Sequence, residues 1–370
     1  MSMTKNVSRP SPTVLFITGE YPPTPGGVGD YTANLRLALA GVGINSFVLT
    51  AGAAGGSDVR TVRSWGWSLL RSVPSLVEEL GISLVHIQYQ AGAFAMHPAV
   101  NLLPLRLRRR GIQVVTTFHD LRPPYLFPKA GRTRSALMLR TARWSHHAIV
   151  TNPADERVLD RAAIPVTRIP IGPNLPPPRR NPVVDMRSVA FFGFPARSKG
   201  IEELVRAVGA IDAERRPEVV LIGAQGTPSG NNDVVPATEI DWLAEAHDVI
   251  VRRTGLLGAS ETTGALAEAG AIVLPFRSGA SQRSGSLLAA LQTGRPVVST
   301  MPGELDDLGA LAALPQLLLA PTRGVESLRD AILAALHAEQ SFSPLPEECR
   351  WQSIAARHRD LYRVMLAGAD

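Results

Sequence analysis

The stretch over residues 271–300 constrains the fold most, because it joins two strand patterns through one loop and one helix pattern. An apolar run at 271–274, closed by a proline, predicts a short buried strand. A loop of small residues follows, and leucines at helical spacing predict a helix over 286–292 that ends at Gly294. The next strand is predicted at 296–298. Unpaired N–H groups and the helix dipole favour an anion at such a helix start, so the stretch predicts a parallel α/β unit with an anion site.

The same alternation of strand and helix patterns runs through the rest of the chain and predicts an α/β fold. A chain of 370 residues is long for one core, and the proline-rich segment 175–182 cannot pack a core of its own. We therefore expect two Rossmann-like, doubly wound parallel-sheet domains, over residues 1–178 and 179–348, followed by a helical segment at 349–370. The other predicted strands lie at 13–18, 45–50, 84–89, 112–117, 148–151, 189–193, 219–223 and 249–251.

The charge of the chain is divided unevenly between its two halves. Residues 1–180 contain 21 Lys or Arg and 9 Asp or Glu, whereas residues 181–370 contain 17 and 23. A basic half predicts contact with something anionic. Aromatic residues are only 5% of the chain and no nucleic-acid module is present, which favours an anionic membrane surface or a phosphorylated acceptor over nucleic acid. The segment 102–110 ends in three arginines and is either a solvated helix face or a contact with anionic lipid.

The amino terminus and the cysteine usage indicate a cytoplasmic protein. The first twelve residues contain no apolar run typical of a signal peptide, and no later run is long enough to cross a bilayer. Cys349 is the only cysteine, so neither an internal disulfide nor a cysteine metal cluster can form. No metal-ligand spacing is found, so we expect no metal. We expect a cytoplasmic chain that is soluble or peripheral on the inner face of the membrane.

Several motifs resemble those of glycosyltransferase family 4 (glycosyl transferases group 1), which has the GT-B fold. The first loop resembles the family's P-P-x-x-G-G, and residues 116–120 resemble its t-x-H-D string. The family's donor string E-x-x-G-x-x-x-x-E-A-x-A-x-G-x-P-V-V is fitted by Ala290, Gly294, Pro296, Val297 and Val298. The two glutamates of that string fall on Ser281 and Ala289, so the donor motif is degenerate at both carboxylates.

The resemblance implies a fold and an activity. In a GT-B protein two Rossmann-like domains face each other across a cleft, with residues 1–178 on the acceptor side, residues 179–348 binding the nucleotide-sugar, and the helix of 349–370 packing back on the first domain. The implied activity is a retaining, metal-independent transfer of a hexose from a UDP- or GDP-sugar to a glycan or lipid-linked acceptor, as in polysaccharide biosynthesis. The nucleotide-sugar is a substrate, so no cofactor is expected.

The resemblance also assigns a basic pair to the loop after the strand at 189–193. In the family string G-R-x-x-x-x-K-G, Gly193 and Lys199 match in register, while Phe194 stands at the arginine position. Arg197 is then a displaced substitute. Cations are needed there because the departing diphosphate gains negative charge, and an arginine can hold two phosphate oxygens. The alternative for both residues is an ordinary solvated loop.

The remaining site residues follow from the other matched motifs. His119 is assigned to catalysis beside the transferred sugar, with Asp120 orienting its ring, although a single histidine is more often structural. Gly26 and Gly27 lie against the donor phosphate or the acceptor, or simply form a tight turn. The loop residues implied to hold the nucleotide-sugar are Ser281, Arg283, Ser284, Gly285 and Ser286.

Two other classes of function remain open. With both donor-site glutamates missing, one alternative is a glycosyltransferase-like chain that has lost catalysis and serves as a binding partner. A sugar-nucleotide epimerase has the same architecture, but it should show paired carboxylates with a histidine, which the sequence does not assemble. Retention of Lys199 favours the transferase.

Overall fold

The structure is a computed structural model. It describes residues 12–24, 26–52, 54–121, 131–179, 182–223, 233–304, 307–339 and 341–368. The chain divides into an N-terminal unit, Met1–Pro170 with Trp351–Asp370, and a C-terminal unit, Ile171–Arg350. This division precedes the predicted boundary at 178, because the start of the proline-rich segment belongs to the C-terminal unit. The carbonyl of Leu175 accepts a hydrogen bond from Gln292, and that of Pro176 accepts one from Thr263.

The N-terminal unit is built on a seven-stranded sheet in the order β3-β2-β1-β4-β5-β6-β7, and its strand pairs are parallel. Its strands are β1 (Thr13–Thr18), β2 (Asn45–Ala51), β3 (Val59–Val62), β4 (Leu84–Tyr89), β5 (Gln113–Phe118), β6 (His147–Val150) and β7 (Val166–Arg168). Its helices are α1 (Gly27–Ala40), α2 (Leu69–Glu79), α3 (Ala99–Arg108), α4 (Gly131–Trp144), α5 (Pro153–Arg161) and α11 (Trp351–Ala367).

Burial explains why these segments form strands and where the core lies. Every residue of β4, in the middle of the sheet, is buried, as expected for a parallel strand covered on both faces. The final helix α11 packs on α1 in the same unit and buries Ile354 and Tyr362. In α3 the leucines Leu103 and Leu107 are buried in the core. The expected lipid contact of segment 102–110 therefore loses most of its apolar face, and only its basic end is exposed.

The C-terminal unit repeats the architecture with a six-stranded sheet in the order β10-β9-β8-β11-β12-β13, again with parallel pairs. Its strands are β8 (Asp185–Phe192), β9 (Glu218–Ile222), β10 (Val251–Arg253), β11 (Ala269–Leu274), β12 (Val297–Thr300) and β13 (Leu317–Ala320). Its helices are α6 (Ile201–Gly209), α7 (Ala237–Ala246), α8 (Ala259–Glu268), α9 (Gly285–Leu291) and α10 (Val325–His337).

The strand orders locate the ligand-binding edge of each sheet. In both sheets the order reverses direction once, between β1 and β4 in the N-terminal unit and between β8 and β11 in the C-terminal unit. Open parallel sheets bind ligands at such a switch point, beyond the carboxyl ends of the strands. The predicted fold class of two Rossmann-like sheets is confirmed. Among the described residues, none of the helices is both long and apolar enough to cross a bilayer.

Candidate active site

In the C-terminal unit, the loops that follow β8 and β11 lie against each other at the switch point. The N–H of Arg277 donates a hydrogen bond to the carbonyl of Ser198 at 3.0 Å. Gly200 has φ 75°, and a Cβ atom there would lie 2.0 Å from the carbonyl oxygen of Pro275. Two motifs that are about eighty residues apart in the sequence therefore form one surface.

Gly200→Ala should destabilise the C-terminal unit by about 3 kcal/mol, because it adds a strained left-handed backbone to a clash with the loop after β11. Gly264→Ala is the matched control, since Gly264 lies inside α8 with nothing within 4 Å of its Cβ position. Chemical denaturation of both variants measures the difference. A loss no larger for Gly200→Ala than for the control would show that the two loops are not in close contact.

Lys199 places a positive charge on this surface. Its Nζ lies 4.7 Å from the centroid of the Phe276 ring, in a cation–π contact that joins the two loops. Burial lowers the pKa of Lys199, and the nearby Asp233 opposes that shift. Within the described ranges, Lys199 forms no ion pair with a carboxylate. Its charge is therefore available to an anionic ligand.

Arg197 has a different environment from the one its sequence position predicts. One guanidinium nitrogen contacts Glu202 at 2.5 Å and another contacts Glu239 at 2.7 Å. The hydrogen bonds that Arg197 donates to Glu239, together with the charge of Glu202, raise the pKa of Arg197. Because two carboxylates already occupy its planar fork, Arg197 is not set up to bind a diphosphate. Its sequence-based assignment as a second phosphate ligand stays a prediction, and it requires these ion pairs to open when a donor binds.

Several polar side chains of the loop after β11 form hydrogen bonds within the loop and to the start of α9. Ser284 caps α9 by accepting a hydrogen bond from the N–H of Leu287 at 3.3 Å, and its Oγ lies 3.1 Å from the Oγ of Ser286. The Oγ of Ser281 accepts hydrogen bonds from the N–H of Arg283 at 3.3 Å and from its Nε at 3.4 Å. Ser281 therefore orients Arg283 within the loop as well as being a candidate ligand contact.

The two other notable positions of this stretch are Gly285 and Ala289. The side chain of Asn174 lies 3.4 Å from the position of a Cβ on Gly285, so the glycine permits a close approach of the preceding segment. Ala289 is fully buried in the second turn of α9. A glutamate there would place a carboxylate where water is excluded, which is costly without a partner. Ala289, which stands where the family has its second glutamate, is therefore a packed position that does not accommodate a charge.

In the N-terminal unit, His119 follows β5 at the carboxyl edge of the sheet. Its Nε2 lies 2.8 Å from the Oε1 of Gln88, and its ring packs edge-on against Tyr31 with 5.0 Å between centroids. His119 is half-buried, whereas Asp120 is exposed. The sequence assigned the orienting role to Asp120, but Gln88 makes the hydrogen bond to Nε2.

Gln88 also connects His119 to the buried His86, whose ring lies 5.7 Å from that of the buried His358; these three residues are here named the histidine cluster. The Nε2 of Gln88 lies 3.2 Å from the Nε2 of His86, whose Nδ1 lies 2.6 Å from the hydroxyl of Tyr362 on α11. Since the amide nitrogen of Gln88 donates to His86, its oxygen accepts from His119. His119 therefore carries its proton on Nε2, and its Nδ1 is an acceptor.

Burial keeps the rings of the histidine cluster neutral. It lowers the pKa of His119 to about 3, with a smaller contribution from the charge of His358. It also lowers the pKa of His358 to about 4 and that of His86 well below its usual value. A neutral His119 can orient a hydroxyl group, but it is a weak proton acceptor near pH 7.

Gln88→Met should lower turnover by about tenfold, because His119 loses the hydrogen bond that fixes its ring and its tautomer. Thr117→Val is the matched control, since Thr117 bonds His86 at 2.7 Å in the same buried cluster and makes no hydrogen bond to His119. Both variants should lose similar stability. Equal loss of turnover in the two variants would contradict a positioning role for Gln88.

The glycine loop after β1 is organised around Glu20. The Oε1 of Glu20 accepts hydrogen bonds from the N–H of Val28 at 2.9 Å and of Gly29 at 3.3 Å, at the start of α1. A Cβ on Gly26 would lie 2.1 Å from the carboxyl carbon of Glu20, so the glycine admits this carboxylate. The helix start that was expected to face a phosphate at Gly26 and Gly27 therefore already holds an anionic group.

The network formed by Gln88, His86 and Tyr362 was not predicted from the sequence. The available signal was the strand 84–89, in which His86 and Gln88 interrupt an apolar run two positions apart and therefore share a face. A polar pair on a strand that is buried throughout indicates a hydrogen-bonded network.

Comparisons with known proteins agree with these observations. The model of Glycosyltransferase Family 4 matches residues 25–175, and the model of Glycosyl transferases group 1 matches residues 187–338. No curated protein matches the sequence. Among solved structures, sucrose-phosphate synthase from Thermosynechococcus elongatus is 20% identical, with a TM-score of 0.65 over 97% of this chain and 100% of that one.

Two further solved structures are similar at lower identity. HepE from Anabaena, determined in complex with UDP, is 13% identical, with a TM-score of 0.64 over 96% of this chain and 98% of that one. UDP-GlcNAc 2-epimerase from Methanocaldococcus jannaschii is 11% identical, with a TM-score of 0.61 over 95% of this chain and 99% of that one. At these identities the likeness shows a common fold.

Proposed function

The chain belongs to family 4 of the glycosyltransferases (glycosyl transferases group 1) and has the GT-B fold, and from this premise we propose that it moves a hexose from a UDP- or GDP-sugar to a glycan or lipid-linked acceptor. The proposed transfer retains the anomeric configuration, needs no metal ion and serves polysaccharide biosynthesis. The nucleotide-sugar is a substrate and not a cofactor. We place the reaction in the cytoplasm, on the inner face of the membrane.

The observation that carries this proposal is the position of Lys199. It lies at the switch point of the C-terminal sheet, in a loop that contacts the loop after β11. Among the described residues it forms no ion pair, and the nearby Asp233 favours its charged form. Breaking the bond between the anomeric carbon and the diphosphate leaves negative charge on the diphosphate. A cation already in place stabilises that charge without reorganisation.

His119 has a different part in the proposed reaction. Its pKa of about 3 makes it a poor base, so the proton of the acceptor hydroxyl has to go elsewhere. A terminal phosphate oxygen of the departing diphosphate, with an ordinary pKa of about 6, accepts a proton more readily. His119 then acts through its neutral Nδ1 as a hydrogen-bond acceptor that orients a substrate hydroxyl.

A thermal-shift screen against UDP-, GDP- and ADP-sugars tests donor binding, because a ligand that binds only the folded chain raises the melting temperature. Proton NMR of the product then shows whether the new linkage keeps the anomeric configuration of the donor. Transfer should continue when EDTA is present. The absence of any shift with all three classes of donor would contradict the proposal.

An epimerase is the second candidate, because one similar structure is a UDP-GlcNAc 2-epimerase. An epimerase inverts one carbon of the sugar and needs no acceptor. Incubating the chain with UDP-sugars alone and following the sugar by NMR distinguishes the two reactions. A chain that binds nucleotide but performs neither reaction would instead be a binding partner.

A further inference from the structure

Two large apolar side chains are exposed on the surface of the N-terminal unit. Trp67 is 57% exposed and Met96 is 37% exposed. Each stands two residues after a buried aromatic residue, and the rings of these two residues, Trp65 and Phe94, contact each other with 4.7 Å between centroids. The inner rings therefore fix both loops in the core and leave the outer side chains in solvent.

The two loops are also joined at their outer ends. The ring of His97 packs edge-on against Trp67 with 5.4 Å between centroids. Ala95 and Met96 have φ angles of 50° and 59°, a conformation that costs about 1 kcal/mol or more for a residue other than glycine. This backbone places Met96 outward, and burial of Met96 within the chain does not compensate for its cost. An exposed apolar side chain that is held at such a cost indicates that Met96 contacts another molecule.

Arginines lie on α2 and α3, the two helices that follow these loops in the chain. Between residues 60 and 110 the sequence contains seven arginines and two glutamates. Arg71 is exposed in the first turn of α2, four residues after Trp67 in the chain. The Nε of Arg106 donates to the carbonyl of Leu70 at 3.1 Å, which holds its guanidinium at the start of the same helix. Arg109 is exposed at the end of α3, which packs on α2.

We propose that the surface formed by Trp67, Met96, Arg71, Arg106 and Arg109, here named the Trp67 surface, docks the N-terminal unit on an anionic lipid bilayer. Tryptophan and methionine would enter the boundary between headgroups and acyl chains, where amphipathic rings are favoured. The guanidinium groups would lie among anionic headgroups. The proposal rests on the proposed function only for its purpose, which is access to a lipid-linked acceptor.

The positive charge of this surface favours an anionic bilayer over a second copy of the chain. A second copy of the chain would bring the same arginines against one another, because a twofold interface repeats one patch. The sequence offered segment 102–110 as a lipid contact, with a solvated helix face as the alternative, and that segment includes the leucines of α3. Those leucines are in the core, whereas Trp67 and Met96 are exposed.

Co-sedimentation of the full chain with vesicles tests the proposal. The chain should bind vesicles of phosphatidylglycerol and phosphatidylcholine, and binding to phosphatidylcholine alone should be weaker by at least about tenfold. The double variant Trp67→Ala with Met96→Ala should bind anionic vesicles at least about tenfold more weakly. Trp242→Ala is the matched control, since Trp242 is a 65% exposed tryptophan in the C-terminal unit and its loss should leave binding unchanged.

A second pair of variants tests the charges. Arg71→Gln with Arg109→Gln should weaken binding at low salt, and the difference should shrink at high salt. Arg187→Gln, at an exposed position of β8, is its control. Equal binding of the wild type and the Trp67 double variant would overturn the proposal. It would also be overturned if the wild type sedimented as a dimer that Trp67→Ala dissociates, because the occupant would then be a second copy.

The outcome is separable from the transferase activity. Vesicle binding needs no donor, and transfer can be followed with a soluble acceptor. Vesicle binding without sugar transfer contradicts the proposed function alone. Sugar transfer to a soluble acceptor without vesicle binding contradicts the Trp67 surface alone.

Discussion

Replacing Lys199 with methionine should slow sugar transfer by about a hundredfold, because the departing diphosphate loses the cation at the switch point. Methionine keeps an unbranched apolar chain of similar length, so packing on Phe276 is largely preserved. The loss should appear in kcat as well as in nucleotide affinity, since the negative charge grows as the bond breaks. Initial rates with a saturating donor, together with calorimetry of UDP and GDP, measure both effects.

Arg197→Gln is the matched control for that experiment, because it removes a cation from the same loop. The guanidinium of Arg197 is held by Glu202 and Glu239, so its loss should reduce stability and change nucleotide affinity little. If Arg197→Gln reduced nucleotide affinity as strongly as Lys199→Met, the ion pairs of Arg197 would have to open when the donor binds. If neither variant changed affinity, the diphosphate would not bind at this loop.

The fold could be predicted from the sequence because the decisive signals are local. The strand, loop and helix of residues 271–300 appear as β11, α9 and β12, since apolar runs and glycine positions control these elements over short distances. The alternation of strands and helices then leaves few topologies for a parallel sheet. The final helix was likewise visible from the spacing of Ile354 and Tyr362.

The site was predicted less completely because side-chain partners come from distant segments. Arg197 resembled a phosphate ligand until the fold placed Glu239 against it, 42 residues later in the chain. Gln88 reaches His119 across neighbouring strands, and this pairing follows from sheet register. Segment 102–110 was predicted to be either a solvated helix face or a lipid contact, and its leucines are in the core, because an amphipathic pattern does not say whether its apolar face meets lipid or core.

The histidine cluster makes the stability of the N-terminal unit depend on pH. The folded pKa values of His119, His358 and His86 all lie below the unfolded value of about 6.5, because burial disfavours the charged ring. A group whose pKa is lowered on folding contributes its full stability above the unfolded value and loses it as the pH falls toward the folded value. The contribution of these three histidines should therefore be constant above about pH 7 and fall between pH 6.5 and about 4.

Lowering the pH from 8 to 5 should reduce the free energy of unfolding by about 2 kcal/mol for each fully buried histidine, His86 and His358, and by less for the half-buried His119.

His358 is the sharpest probe of this pH dependence. Its Nδ1 bonds the carbonyl of Ile354, and within the described residues its Nε2 has no partner for an added proton. Denaturant unfolding followed by tryptophan fluorescence at pH 5, 6.5 and 8 measures the slope. His358→Leu should flatten it by nearly one proton, whereas His337→Gln, at an exposed position of α10, should leave it unchanged. A wild-type stability that is the same at pH 5 and pH 8 would mean that the cluster does not stay neutral, and the neutral role of His119 in the transfer would fail with it.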